Sequence, residues 1–176
     1  NAPVISADDV PMPAGESVAI VALLDVDGAP TASVFSDATA ATAPPGRGVA
    51  TVRHTAAAPA VEVWLGADEA APSGLTLANP EQVARVELAA GTYQAGLGTS
   101  ETLLFGPADL PVTANQVTVV YAVGVFGEDS FQLITDSFPL PATVRVVHGV
   151  PGLDVDVEVG GVCVKPGYEF ASVPEL

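Results

Sequence analysis

The chain has 176 residues, 49% of them apolar, with 17 Gly and 16 Pro, enough for one large or two small domains of short strands and many turns. Asp and Glu total 21 against 5 Lys and Arg, a formal net charge of −16; such a surface repels phosphate backbones and anionic lipid, so no nucleic-acid binding is expected. Cys163 is the single cysteine, which excludes a disulfide within these residues.

From the N-terminus, the turn Val10-Pro-Met-Pro-Ala-Gly-Glu16 feeds the apolar run Ser17 to Leu24. That run is apolar on both faces, as a central sandwich strand would be. Asp25-Val-Asp-Gly28 turns the chain into a returning strand, Thr31 to Phe35, and the Ala/Thr/Pro/Gly-rich stretch Ser36 to Gly48 reads as a linker. Strands are predicted near Val49–His54 and Ala60–Gly66. Ala67 to Glu81 reads as a long loop with one helical turn near Asn79–Gln82. Arg85–Leu88 and Tyr93–Leu97 bracket Ala89-Ala-Gly-Thr92 as a hairpin, and Thr102–Phe105 is a short strand. The turn Leu110–Gln116 leads to the long strand Val117–Phe126 and its partner Phe131–Thr135. Val117–Phe126 is the longest apolar tract and too short to cross a bilayer as a helix, so no membrane insertion is expected.

The chain repeats itself. Ala50–Gly66, ATVRHTAAAPAVEVWLG, returns as Ala142–Gly160, ATVRVVHGVPGLDVDVEVG; His148 stands 94 residues after His54, and Val155-Asp156-Val157 answers to Val61-Glu62-Val63. Val10-Pro11 likewise matches Leu110-Pro111, and Val18–Leu23 matches Thr118–Val123, at an offset of 100. A period of this size is a domain repeat, not a solenoid. The expected fold is all-β: two β-sandwich modules, Ig-like or prealbumin-like, from a tandem repeat. Residues 48–140 hold one complete unit. Residues 1–47 plus 141–176 hold a second half and a first half, expected to pack on each other as a discontinuous unit, because half a sandwich leaves an apolar face in water at about 1.5–3 kcal/mol per large side chain. Neighbouring repeats or a strand-exchanged dimer are the alternative partners for those faces.

The tract Val52-Arg-His-Thr-Ala-Ala-Ala-Pro-Ala-Val-Glu-Val63 resembles the opening of the bacterial secreted domain of unknown function 4397, in which a strand ending in His leads through a Ser/Ala-Pro turn to a Val-Asp-Val strand. Val86-Glu-Leu-Ala-Ala-Gly-Thr-Tyr93 is similar to that family's Leu-Pro-Ala-Gly-Thr-Tyr hairpin, with Ala89 where Pro is usual. Ala14-Gly15-Glu16 and Asp25-Val-Asp-Gly28 look like its later turns. The resemblance implies a repeated β-sandwich in secreted or cell-surface bacterial proteins, and it brings no activity and no site residues.

Leu153-Asp-Val-Asp-Val-Glu-Val159 alternates, which places Asp154, Asp156 and Glu158 on one strand face. A solvated outer face is the reading for that row; Asp154 and Asp156 are the candidate ligands if a Ca²⁺ ion is held, and no other cofactor is expected. Asp25-Val-Asp-Gly28 has the opening of a Ca²⁺ loop without its later carboxylates and reads as a β-turn. His54 and His148 each stand without a nearby His or Cys, and a backbone hydrogen bond in the following turn accounts for both. Trp64 shares a strand face with Glu62; it would cover the junction between modules, or, with Tyr93 and Tyr121, stack on a sugar ring or a peptide. Cys163, among Val162 and Val164, reads as a buried inert thiol. No G-x-S-x-G elbow, H-E-x-x-H, phosphate loop or dinucleotide motif occurs, and Lys165 is the sole lysine. The resulting expectation is a non-enzymatic extracytoplasmic β-sandwich repeat, a structural spacer or adhesion and interaction module whose partner is a cell-surface protein or glycan. The alternative is a carbohydrate- or peptide-binding module using Trp64 and nearby aromatics.

Overall fold

The computed structural model describes residues 17–37, 42–141, 151, 154–159 and 161–168. These residues are all-β, and contacts divide the chain into two compact units, Asn1–Pro141 and Ala142–Leu176. The opening hairpin pairs β1 (Val18–Leu24) with β2 (Pro30–Ser36) in unbroken antiparallel register. The turn between them is made by Asp25: its Oδ1 accepts from the backbone N–H of Asp27 (3.0 Å) and Ala29 (2.8 Å), and Gly28 takes φ +85°. With that oxygen occupied by two amides, Asp25-Val-Asp-Gly28 is a side-chain-braced turn.

Residues 42–141 form a sandwich of two four-stranded sheets. One has the order β10-β9-β3-β6, with β3 (Arg47–His54), β6 (Gln82–Ala89), β9 (Gln116–Val123) and β10 (Gln132–Pro139). The other has the order β5-β4-β7-β8, with β4 (Val61–Gly66), β5 (Pro72–Leu77), β7 (Gly91–Gly98) and β8 (Leu103–Val112). All pairings are antiparallel except that of β3 with β9. Period-two alternation sends Ala50, Val52, Val120 and Ala122 from the first sheet, and Val61, Val63, Leu97, Leu110 and Val112 from the second, into one core between the sheets. The first sheet is also covered on its outer face, where Val49, Val117 and Val119 pack with Leu140, Ala43 and Phe138. This double burial is why β9 reads as a continuous apolar run.

Four expectations are corrected. Arg85–Leu88 and Tyr93–Leu97 are not a hairpin: β6 pairs with β3, β7 pairs with β4 and β8, and the chain steps from one sheet to the other at Ala90, whose N–H bonds Gly46 O at 2.9 Å. Hairpin and corner share one alternation pattern locally, so the local sequence does not separate them. The Ala67–Glu81 loop contains β5, an exposed edge strand in which only Leu77 is buried and which the apolar pattern therefore does not mark. No helical turn forms at Asn79–Gln82; the Asn79–Pro80 bond is cis and β6 begins at Gln82. Finally, β8 continues past Pro107 and Pro111, which an edge strand tolerates, with register shifts against β7 between Ala95 and Gly98, and the turn narrows to Thr113–Asn115 with Asn115 at φ 59°.

Gly48 is where β3 passes beneath that turn. A Cβ there would lie 2.3 Å from Thr113 O and 2.9 Å from Val112 Cγ1. Gly48→Ala is therefore expected to cost about 1–3 kcal/mol through overpacking, read as a lower melting temperature; an unchanged melt would show that the crossing is looser than its geometry.

In the second unit the described residues form one antiparallel hairpin, β11 (Val155–Val159) with β12 (Val162–Tyr168), with register shifts between Val155 and Glu158. The β1–β2 hairpin falls in the same compact unit as residues 42–141.

Candidate functional site

The most ordered polar cluster is built around Arg53, on the outer face of the first sheet beside its register partner Tyr121. Its side chain is 0% exposed. Nε donates to Gln82 Oε1 (3.1 Å), Nη1 to Tyr121 OH (2.7 Å), and Nη2 to Ser36 O (3.1 Å) and Asp37 Oδ1 (2.7 Å). The rings of Phe35 and Tyr121 lie 5.0 and 5.2 Å from the guanidinium carbon. Asp37 is held in turn by Ser17 Oγ at 2.7 Å. Each nitrogen of the fork donates and the ion pair is out of water, so the cluster is a joint tying the β1–β2 hairpin to β3, β6 and β9. Asn79 Nδ2 adds a second tie, to Leu24 O at 2.8 Å, and also bonds Ala56 O. Sequence reasoning passed over Arg53. The available signal was a cation in the middle of an Ala/Val strand in a chain with only five of them.

The candidate aromatics do not converge. Trp64 is half-buried on the outer face of the second sheet, opposite the buried Val61 and Val63, and its Nε1 donates to Thr99 O at 2.9 Å. Tyr121 belongs to the Arg53 joint on the outer face of the first sheet. Tyr93 packs against the inter-sheet core and its OH bonds Ala89 O at 3.1 Å, bracing the corner at Ala90. A shared stacking platform of Trp64, Tyr93 and Tyr121 is thus absent from this arrangement.

His54 is fully buried, and its Nε2 lies 2.9 Å from Pro59 O in the following turn. A carbonyl partner requires the proton on Nε2; Nδ1 is buried without a partner, as is Asn79 Oδ1. His148 lies outside the described residues. Asp154, Asp156 and Glu158 are exposed while Val155 and Val157 are half-buried, and Asp156 Oδ1 accepts from Gly167 N at 2.8 Å. Among the described residues no group of three or more His, Cys, Asp or Glu could hold a metal ion. Adding a chelator is accordingly expected to leave the melting temperature unchanged, and a clear drop would restore Asp154 and Asp156 as ligands. Cys163 is exposed, not buried: β12 is one strand of a two-stranded hairpin and offers its thiol no cover.

Two surface grooves remain. One, of about 200 Å³, is lined by Thr113, Gln116, Thr118, Thr135 and Ser137 at the open edge between β8 and β10. The other, about 270 Å³ and mostly apolar, lies between Ala22, Leu24 and Pro30 of the hairpin and Thr55, Val123 and Gly124 of the sandwich. The first also has the Asp136 carboxylate beside those hydroxyls, and the second is lined by no ionisable side chain. No helix among the described residues is long and apolar enough to cross a membrane. Comparison with protein-family models, curated proteins and solved structures finds no match.

Proposed function

We propose that this chain is a non-enzymatic, extracytoplasmic β-sandwich repeat, serving as a structural spacer or an adhesion and interaction module at a bacterial cell surface. The observation that carries the reading is how the chain passes through the first unit. The β1–β2 hairpin is clamped at the His54 end of β3, through Arg53, Asn79 and Gln82. The chain leaves at the other end, where Leu140 N bonds Asn115 O and Asn115 N bonds Arg47 O. β3 spans eight residues, roughly 23 Å at a strand's rise. Entry and exit at opposite ends of a doubly buried strand suit an element that is threaded into a series. The resemblance to domain of unknown function 4397 supplies the bacterial, exported setting, and the sequence repeat supplies the series.

The finer topology favours the prealbumin-like member of the two sandwich types. Counting within 42–141, the first strand pairs with the fourth and, in parallel, the seventh, while the second lies in the opposite sheet. An immunoglobulin domain instead keeps its first, second, fourth and fifth strands together.

A broad panel of hydrolase substrates tests the non-enzymatic reading: no turnover is expected. Turnover abolished by His54→Ala, with the fold intact, would sink it. The alternative, carbohydrate or peptide binding, draws on the half-exposed Trp64 alone, without help from Tyr93 or Tyr121. A glycan-array signal lost in Trp64→Ala would favour that reading over the spacer.

A further inference from the structure

We propose that the free edge of β10, with the groove beside it, is a docking site for an extended basic peptide that adds a strand to the first sheet. This rests on the interaction-module reading above and names the chemistry of its partner.

Backbone geometry fixes which groups the edge offers. Beside β3, Thr55 N bonds Ala122 O and Ala57 N bonds Gly124 O. Even-numbered residues of β9 therefore turn their N–H and C=O towards β3, and odd-numbered ones towards β10. Val119 and Tyr121 pair their backbones with their register partners Asp136 and Ile134. Leu133, Thr135 and Ser137 are left pointing out of the sheet, and β10 is its last strand among the described residues. The other three sheet edges are guarded. β8 carries Pro107 and Pro111, β5 carries Pro72, and both break register against their neighbours, as β6 does against β3. β10 pairs with β9 over all eight residues without a shift. Its guard is Asp136, whose Oδ1 accepts from Ser137 N at 2.8 Å and so sits at the edge itself.

The groove of about 200 Å³ runs along this edge, since the consecutive residues Thr135, Asp136 and Ser137 all line it although their side chains alternate between faces. An added strand would set one side chain against Ile134, which is 45% exposed, and the side chain two residues away against Asp136. An apolar residue and a lysine or arginine fit those two places. Hydroxyl-bearing residues between them would face Thr135 and Ser137.

Charge selects a foreign peptide over this chain. A second copy would bring a charge of −16 to an edge guarded by a carboxylate. Residues 1–16 hold three acids and no Lys or Arg, and residues 142–176 hold five acids against Arg145 and Lys165. The chain also leaves β10 on the side away from the free edge: Leu140 N bonds Asn115 O, and the Leu140 side chain packs with Val49 and Val117 over the sheet.

Residue-resolved amide exchange on the full chain, with and without peptide, reads the outcome. The probes are two blocked peptides in which threonine alternates with valine and lysine, or with valine and glutamate. In the free chain the amides of Leu133 and Thr135 should exchange fast, and the lysine peptide should slow both. Protection of both amides in the free chain overturns the proposal: at every dilution it means that a segment of this chain covers the edge, and only at high concentration that a second copy does. An equal response to the two peptides, or to neither, overturns it as well. Asp136→Lys should weaken binding of the lysine peptide about fivefold, as the loss of an exposed ion pair does, and reverse the preference to glutamate; an unchanged preference counts against the site. Thr135→Pro, which removes an outward N–H, should abolish binding of both peptides with the fold intact by circular dichroism, and Asp136→Lys decides alone if that variant does not fold. Mass spectrometry of the recovered peptide separates the two failures. Intact peptide without binding overturns this site and leaves the spacer reading standing, whereas cleaved peptide sinks the non-enzymatic reading and the docking site with it.

Discussion

Arg53→Ala is expected to destabilise the protein by about 3–5 kcal/mol, because it removes one partner of a buried ion pair and leaves the other behind. The Arg53 side chain is 0% exposed and the Asp37 side chain 8%. Without the guanidinium, the carboxylate of Asp37 keeps Ser17 Oγ as its side-chain partner among the described residues. Ser36 O and Tyr121 OH lose a charged donor, and Phe35 and Tyr121 lose the cation packed against both rings. The loss should lower the melting temperature by roughly 10 °C or more. It should also be uneven: amide exchange in Val18–Ser36 should accelerate before that of β3 and β9, because the joint holds the hairpin and the inter-sheet core holds the strands. The double variant Arg53→Met with Asp37→Leu should recover most of the loss, since a packed apolar pair carries no stranded charge. A melt for Arg53→Ala within about 2 °C of the parent would mean that water reaches the joint and that the cluster binds the hairpin weakly.

Phe131→Ala is the second large effect, about 3–5 kcal/mol for emptying an aromatic site in the core. Phe131 is 8% exposed and packs with Val61, Val63, Leu77 and Leu97, closing the inter-sheet core at the end of the β9–β10 connection. It also meets Phe105 edge-to-face at 4.8 Å and Phe126 at 5.5 Å; such pairs add about 0.5–1.5 kcal/mol beyond burial. Phe131→Leu keeps most of the volume and should lose less than half as much. Phe126→Ala removes a ring that is 41% exposed and should cost less. Urea midpoints at constant slope measure all three. Equal losses for Phe126→Ala and Phe131→Ala would show that the aromatic contacts, not the core volume, hold this end together.

Much of the fold could be read from residue order where one stretch of chain decides the matter. Val18–Leu24 returns on itself because Asp25 and Gly28 supply the side-chain acceptor and the positive φ that a tight turn needs. Val117–Val123, within the longest apolar tract, and its partner strand stand where the sequence puts them, whereas Val18–Leu24, apolar on both faces and expected as a central sandwich strand, lies in a two-stranded hairpin with Ile20 58% exposed. β5 was not legible, since an exposed edge strand of Pro, Ser, Gly and Thr is held by its ladder to β4 and by almost no buried side chain of its own. Cys163 was misjudged for a related reason: apolar neighbours along a strand do not bury a thiol unless another layer lies over it. The candidate stacking group failed for geometric reasons. Trp64, Tyr93 and Tyr121 lie on three strands, and the parity of each position sent one to each outer face and one to the core.

Residue order alone settled the all-β character and the acidic balance, because strand period, turn chemistry and charge are properties of neighbours in the chain. Tertiary structure alone decided that Ala90 is a corner and not a hairpin turn, and that Arg53 is a joint and not a surface charge. The reason is the same in both cases: which strand lies beside β6, and which ring and carboxylate lie over β3, depend on segments far away in sequence, and no local pattern carries that information.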